Sequence, residues 1–367
     1  MKSGRILFLF VLLFCTTKTF AQFLQYSNDF LNIGAGARGL AMGNAQVASV
    51  SDATAGYWNP AALVHIQDHP SLSLMHADYF SGIGQYEYAG LAIPTQNPNR
   101  TLGINFVRFA IDDIPNTLFL VNPDGSIDYN NISSFSSADY ALLFSYAQRV
   151  NRSDFDLSYG GNAKIIYRKV GSFAQAWGFG FDAAVQIKKG NWQLGLVARD
   201  VTTTFNAWSF SFTDQEKQIL YLTQNDIPVK STEMTAPHLL AGVAYNFQFT
   251  KKLSLLTEAD VSATFNGQQN TLVSTKAFNL DPCAGLELSI SKIVFIRGGV
   301  SNFQRALSDG DTTDQKKVWI FQPSIGCGVK LKDVYIDYAY SNLANQSNPL
   351  HSNIFSVRID LVGTKKK

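Results

Sequence analysis

Charge is scarce in this chain. Asp, Glu, Lys and Arg make up 16% of its 367 residues, against roughly 25% in typical soluble domains. The formal net charge is +2, and the basic residues form no single patch of the kind that follows a nucleic-acid backbone. Long apolar runs are missing too. Beyond the N-terminus no stretch approaches the length of about 20 apolar residues that a transmembrane helix needs. Cysteine is nearly absent, with Cys15 near the start and then only Cys283 and Cys327. The sequence holds no C-x-x-C pair, no G-x-S-x-G elbow and no Walker lysine. Its five histidines (His65, His69, His76, His238, His351) fall into no Ser/His/Asp arrangement. These absences point away from an enzyme, and no catalytic residue, cofactor or metal is expected.

What the chain does have is aromatic side chains, 13% of all residues, with a mean hydropathy close to zero. An aromatic, charge-poor chain without a helical span has two homes: a large soluble β-protein, or a closed barrel in an outer membrane. The start of the chain bears on the choice. Lys2 and Arg5 flank an apolar run from Ile6 to Cys15, and Thr19-Phe20-Ala21 forms a small-x-small end. That is the layout of a secretory signal, residues 1–21, cleaved after Ala21. The bulky Phe14 argues against Cys15 as a lipid acceptor.

From residue 71 onward the dominant period is two. Trp177, Phe179, Phe181, Ala183, Val185 and Ile187 alternate with Gly178, Gly180, Asp182, Ala184, Gln186 and Lys188. One face is apolar and the other small or polar. Fourteen such segments can be placed: 71–80, 85–94, 101–111, 134–150, 155–170, 176–188, 192–205, 238–249, 252–265, 278–291, 293–303, 318–331, 334–342 and 351–361. Many match the roughly 9–11 residues of a tilted membrane strand.

Connections after even-numbered segments are short, while those after odd-numbered ones include 112–133, 206–237, 266–277 and 304–317. Outer-membrane barrels have short periplasmic turns and longer outer loops. An even strand count then predicts two periplasmic termini. Acidic residues gather in the long loops (Asp112, Asp113, Asp124, Asp128, Asp309, Asp311, Asp314). Aromatics near strand ends, such as Tyr146, Tyr167, Trp177 and Trp192, suit interfacial girdles. The alternation puts Cys283 on the luminal face and Cys327 on the lipid face, so two free thiols are expected.

The polar faces also carry charge. Arg108, Arg199, Arg297, Arg358, Glu258, Asp260, Glu287, Asp182 and Asp360 are expected in the lumen, as ion pairs along the wall or as grips on a plug. Glu258 and Asp260 read as members of that charged lumen rather than as an acid/base couple.

Residues 22–70 precede the first strand and include a formal G-x-G-x-x-G at Gly34, Gly36 and Gly39. A dinucleotide cradle needs that motif between a strand and a helix of a βαβ unit, and no such rhythm follows. A barrel of fourteen strands leaves an open channel unless something fills it. This segment of small residues reads as the filler, with glycines that allow close backbone packing. A short helix is expected after Ser51-Asp52, ending at Asn59 before Pro60. His65 and His69 have a spacing that could hold zinc on a helix, but Pro70 and the strand-like residues after it argue for a polar rim instead.

Residues 28–63, NDFLNIGAGARGLAMGNAQVASVSDATAGYWNPAAL, resemble the N-terminal signature of the PorV/PorQ family, within the wider FadL-like group of outer-membrane barrels. The matching elements are Phe30 to Gly34, Ala37-Arg38, Met42-Gly43, Asp52 to Ala55 and Asn59-Pro60-Ala61. The resemblance implies that Gly34, Arg38, Gly43, Asp52, Asn59, Pro60 and Ala61 are structural residues of a luminal hatch. It also implies association with type IX secretion, in which relatives act as accessory barrels that receive or shuttle cargo carrying a C-terminal sorting domain. Asn44 and Ala62 depart from the pattern, and the chain ends in Gly363-Thr364-Lys365-Lys366-Lys367 rather than on an aromatic residue.

The sequence therefore predicts an all-β protein, a 14-stranded antiparallel transmembrane β-barrel with an N-terminal luminal hatch, in the outer membrane. Its expected parts are a signal peptide (1–21), the hatch (22–70), the barrel (71–362) and a basic tail (363–367). The expected partners are type IX translocon components or secreted cargo, with outer-membrane lipid around a monomeric barrel and no nucleic acid. The leading function is a secretion accessory; the alternative is a FadL-like passive channel for hydrophobic small molecules.

Overall fold

A computed structural model of the chain describes residues 27–122, 124–150, 152–227, 231–307, 317–341 and 351–362. The signal segment, Asp309, Asp311, Asp314 and the basic tail lie outside the described residues. The strands are β1 (Ser71–Tyr79), β2 (Gly84–Pro94), β3 (Arg100–Asn116), β4 (Ser133–Val150), β5 (Asp156–Val170), β6 (Ala174–Lys189), β7 (Trp192–Arg199), β8 (Thr204–Phe210), β9 (Ser231–Thr235), β10 (His238–Gln248), β11 (Leu253–Thr264), β12 (Val273–Ser274), β13 (Asn279–Ile290), β14 (Val294–Leu307), β15 (Lys317–Leu331), β16 (Val334–Ser341) and β17 (Ser352–Asp360).

Leaving aside the short β8, β9 and β12, fourteen strands form one closed antiparallel wall. β17 closes it against β1, from Ser71 opposite Asp360 to Asp78 opposite Asn353. Closure leaves the sheet without a free first or last strand, the condition for a sheet to stand in lipid. The alternating apolar face points outward: Trp177, Phe179 and Phe181 on β6, and Leu194 and Leu196 on β7, are all exposed. Cys283 is half-buried on the luminal side, Cys327 is exposed on the outer side, and both are free thiols.

β3 and β14 run past residues 111 and 303, so Asp112 and Asp113 lie on β3 and not in a loop; two further features differ from the sequence reading. β7 stops at Arg199 because the chain turns sharply there, with Asp200 and Thr203 at φ of 53° and 63°. The residues that follow leave the wall, and β8 pairs with the outer half of β6 while β10 takes the place beside β7. The long 206–237 connection is thus partly folded, with a β8–β9 hairpin and a helix at Asp214–Leu222 started by a Thr213/Glu216 capping box. The second difference concerns Arg108. It shares its face of β3 with Leu102, Ile104 and Phe106, which are exposed, so it lies on the outer surface and not in the lumen.

Residues 27–66 lie inside the barrel and are almost wholly buried. This hatch contains short α-helices at Ala37–Ala41 and Ala55–Trp58 and short 3-10 helices at Asp29–Asn32 and Pro60–His65. Its first described residues, Ser27 and Asn28, meet Asn206 and Thr235 on the long-loop side, whereas β17 ends near the short turns.

Candidate functional site

The site is the seam between hatch and wall, together with the space above it. One side of the hatch is held by apolar packing. Leu40, Val50, Tyr57, Trp58, Leu63 and Val64 bury themselves against Met75, Tyr86, Tyr88, Val107, Leu143, Ile166 and Ile354 of the wall. The other side is held by charge and by backbone approach.

Two luminal carboxylates of β11 grip four successive hatch amides. Asp260 accepts from the backbone N–H of Gln46 and Val47 at 2.8 and 2.9 Å. Glu258 accepts from Ala48 and Ser49 at 2.7 and 3.1 Å. Each carboxylate thus receives two backbone N–H donors of the hatch, so a buried Glu and Asp here act as a clamp and not as an acid/base couple. On β7, Arg199 donates to the carbonyls of Leu31 and Tyr57, both at 3.1 Å, and lies 4.9 Å over the Tyr57 ring. Arg297 bonds Glu287 and Asp337, each at 2.6 Å.

The expected hatch residues each have a definite local role. Arg38 reaches Glu287 at 2.8 Å and Gln46 at 2.6 Å; burial opposes its charge, but the Glu287 carboxylate outweighs this and raises the Arg38 pKa. Asp52 accepts from the Thr54 amide at 2.9 Å and pairs with Arg358 of β17 at 3.0 Å. Burial works against the Asp52 charge, yet Arg358 and Thr54 keep the pKa below the ordinary carboxylate value. Asn59 caps the following turn by accepting from Ala61 N, and its amide donates to Val47 O at 2.8 Å. Pro60 then opens that turn, where its missing N–H does no harm. The Gly34 amide donates to the Tyr57 hydroxyl. Gly43, at φ 64°, lies flat on the wall at Gly299 and Val300, where a side chain on either glycine would collide with backbone.

The G-x-G-x-x-G amides face no open cradle. Gly36 N donates to Met75 Sδ and Ala37 N to Ser356 Oγ. His65 and His69 are not brought together either: His65 Nε2 meets Gln186 Oε1 at 2.6 Å, while His69 is exposed. Among the described residues no cluster of three His, Cys, Asp or Glu side chains could hold a metal ion.

Luminal charges absent from the sequence reading complete the picture. Lys164 of β5 is buried between Asp182 and Asp200 at 2.8 and 2.6 Å. Arg168 pairs with Asp139 at 2.9 Å and Glu233 at 3.3 Å. Parity along β4 and β5 places Asp139, Lys164 and Arg168 inside, so the signal was present.

Above the hatch, toward the long loops, lies a cavity of about 270 Å³ lined by Asp29, Arg199, His238, Asp260, Asp281 and Cys283 among others. Most of the residues that line it are polar, although their carbon atoms supply more of its surface, and among the described residues Asp281 Oδ1 has no hydrogen-bond partner. Beside it the wall ladder splits. β13 and β14 pair only from Ala284–Val300 down to Ile290–Val294. Farther out, Asn279–Cys283 pair with β11, and Ser301–Leu307 pair with β15 across a register shift. Asn270 bridges part of this gap, donating to Arg305 O at 2.8 Å and accepting from Arg305 N at 3.1 Å.

No known family profile matches the chain, and no curated protein matches it in sequence. Solved structures do share its fold. The Pseudomonas putida toluene transporter TodX is 12% identical with a TM-score of 0.55, and the alignment covers 89% of this chain and 98% of that one. A Pseudomonas aeruginosa FadL homologue is 16% identical with a TM-score of 0.51 over the same shares. The Ralstonia pickettii toluene transporter TbuX is 14% identical, also at 0.51 and over the same shares. The chain thus has the fold of FadL-like outer-membrane barrels.

Proposed function

We propose that this chain is an outer-membrane barrel that acts as a passive channel for small hydrophobic molecules, with its hatch closing the lumen at rest. The observation that carries this reading is the split ladder between β13 and β14 beside the cavity. The transport proteins that share the fold support it, since two of them are described as toluene transporters. Passage requires that part of the hatch move, and the side of the hatch held by hydrogen bonds and ion pairs can exchange partners with water more readily than the side held by apolar packing. The test is initial uptake of labelled toluene and of a labelled long-chain fatty acid by intact cells with and without the gene. A several-fold drop without it supports the channel; unchanged uptake of both overturns it.

A second reading is favoured by the charged residues around the cavity, Asp29, Arg199, Asp260 and Asp281, which a purely hydrophobic cargo would leave without partners. In it the barrel is an accessory of type IX secretion that binds the translocon or cargo with a C-terminal sorting domain, as the resemblance of residues 28–63 implies. Its loops would then be the working surface, including the folded segment around the helix Asp214–Leu222. Recovery of a translocon subunit with the tagged barrel, with uptake unchanged, selects this reading over the channel.

A further inference from the structure

The outer face of the wall is not apolar all round. On β6 six consecutive outward positions, Ile187, Val185, Ala183, Phe181, Phe179 and Trp177, are hydrophobic. Outward positions are about 7 Å apart along a strand, or about 5 Å in height at the tilt of membrane barrels, so this stripe matches an apolar band of about 25 Å. On β1 to β3 the stripe is cut short. β1 offers Leu72 and Leu74 and then His76 and Asp78. β2 offers Ile93, Leu91 and Ala89 and then Glu87 and Gln85. β3 offers Leu102, Ile104 and Phe106 and then Arg108. The polar residues begin about 10–15 Å above the first apolar position, within the outer half of the band.

These side chains form one connected patch. Arg108 pairs with Glu87 at 2.8 Å, and His76 lies 3.6 Å from both Glu87 and Asp78. The His76 and Asp78 side chains are each more than half exposed. A charged residue on the lipid face is destabilising, most for a cation and increasingly toward mid-bilayer depth, and hydrocarbon returns no hydrogen bond.

We propose that the outer face of β1–β3 docks another integral outer-membrane protein, one that presents a basic side chain at the depth of Asp78. Charge selects this occupant. The patch's arginine is already engaged by Glu87, and among the described residues the ion-pair partner of Asp78 is the imidazole of His76. A phosphate-bearing lipid headgroup meets a carboxylate with no free cation. A second copy of this chain, packed patch to patch, brings the same carboxylate and the same occupied arginine. The inference rests on the membrane placement of the barrel and not on what passes through it.

A photo-reactive amino acid placed at Gln85, inside the patch, and separately at Phe181, on the apolar stripe of β6, tests this in native membranes. The Phe181 position reports placement: it must label lipid, and if it does not, the membrane reading itself fails. At Gln85 the expected product is an adduct with a different membrane protein, reduced at least fivefold by Asp78→Asn. Heat-modifiable gel mobility shows that the variant barrel is still folded. An adduct with a second copy, an adduct with lipid alone, or a protein adduct unaffected by Asp78→Asn each overturns the proposal.

Discussion

At the scale of single residues, the luminal glycines and one histidine set how firmly the hatch is held. Gly299 of β14 touches the Met42–Gly43 backbone, so any side chain there must displace the hatch or bend the wall. Gly299→Val should destabilise the hatch by about 1–3 kcal/mol, the range for overpacking a close contact. Limited proteolysis of residues 27–66 should then become faster while the barrel stays heat-modifiable. His65 responds to pH. Burial, with Lys188 and Arg149 close by, pushes its imidazole down to about 3 despite the bond to Gln186. It therefore stays neutral in place but takes up a proton below about 6.5 once released. Its contribution to hatch stability is whole above 6.5 and is lost by about tenfold per pH unit between there and about 3. Asp52, held below the ordinary carboxylate value, adds a loss in the same direction at still lower pH. Hydrogen exchange at Val64–Ile66, corrected for intrinsic rates, should show roughly thirtyfold less protection at pH 5 than at pH 7. His65→Leu should flatten that dependence; an unchanged slope would place the proton elsewhere.

At the scale of elements, the outer ends of β14 and β15 behave as a hairpin of their own. Over Ser301–Leu307 β14 has β15 as a strand partner but not β13. Stacking of Arg305 on Trp319 at 4.6 Å and of Phe303 near Phe321 stiffens the pair from outside. The link across the gap is the Asn270 side chain, which reproduces on Arg305 the two hydrogen bonds a strand neighbour makes. Those bonds are exposed to water and so are worth little each. Asn270→Ala should speed amide exchange at Arg305 by about two- to fivefold and leave Ile296 and Arg297 unchanged. If the channel reading holds, the same variant raises uptake.

At the scale of the whole molecule, the hatch joins opposite sides of the wall. Glu258 and Asp260 of β11 hold Gln46–Ser49, Arg358 of β17 holds Asp52, and Asn162 of β5 donates to Gly56 O. Pulling the hatch out therefore loosens contacts around much of the barrel at once. The polar patch on β1–β3 and an outer apolar groove of about 820 Å³ on β10–β14, lined by Tyr245, Phe247, Ala259 and Leu286, give the barrel two unlike flanks. A barrel with unlike flanks has a preferred orientation toward neighbours in the membrane plane.

The sequence by itself determined the fourteen wall strands, their antiparallel order and the alternation of short and long connections. A period of two and the turn residues that interrupt it are local properties, legible without knowing any partner. It also contained more than was read from it: the parity of Leu102, Ile104 and Phe106 already places Arg108 outside. Only the tertiary structure decided the rest. The departure of β8 from the wall depends on whether β10 competes for the edge of β7. The role of Glu258 and Asp260 depends on which backbone amides come to rest against them, and backbone amides have no signature in a sequence. Alternation assigns a side chain to a face; what it meets there is set by strands and segments up to hundreds of residues away, brought together by closure of the barrel around its own N-terminal segment.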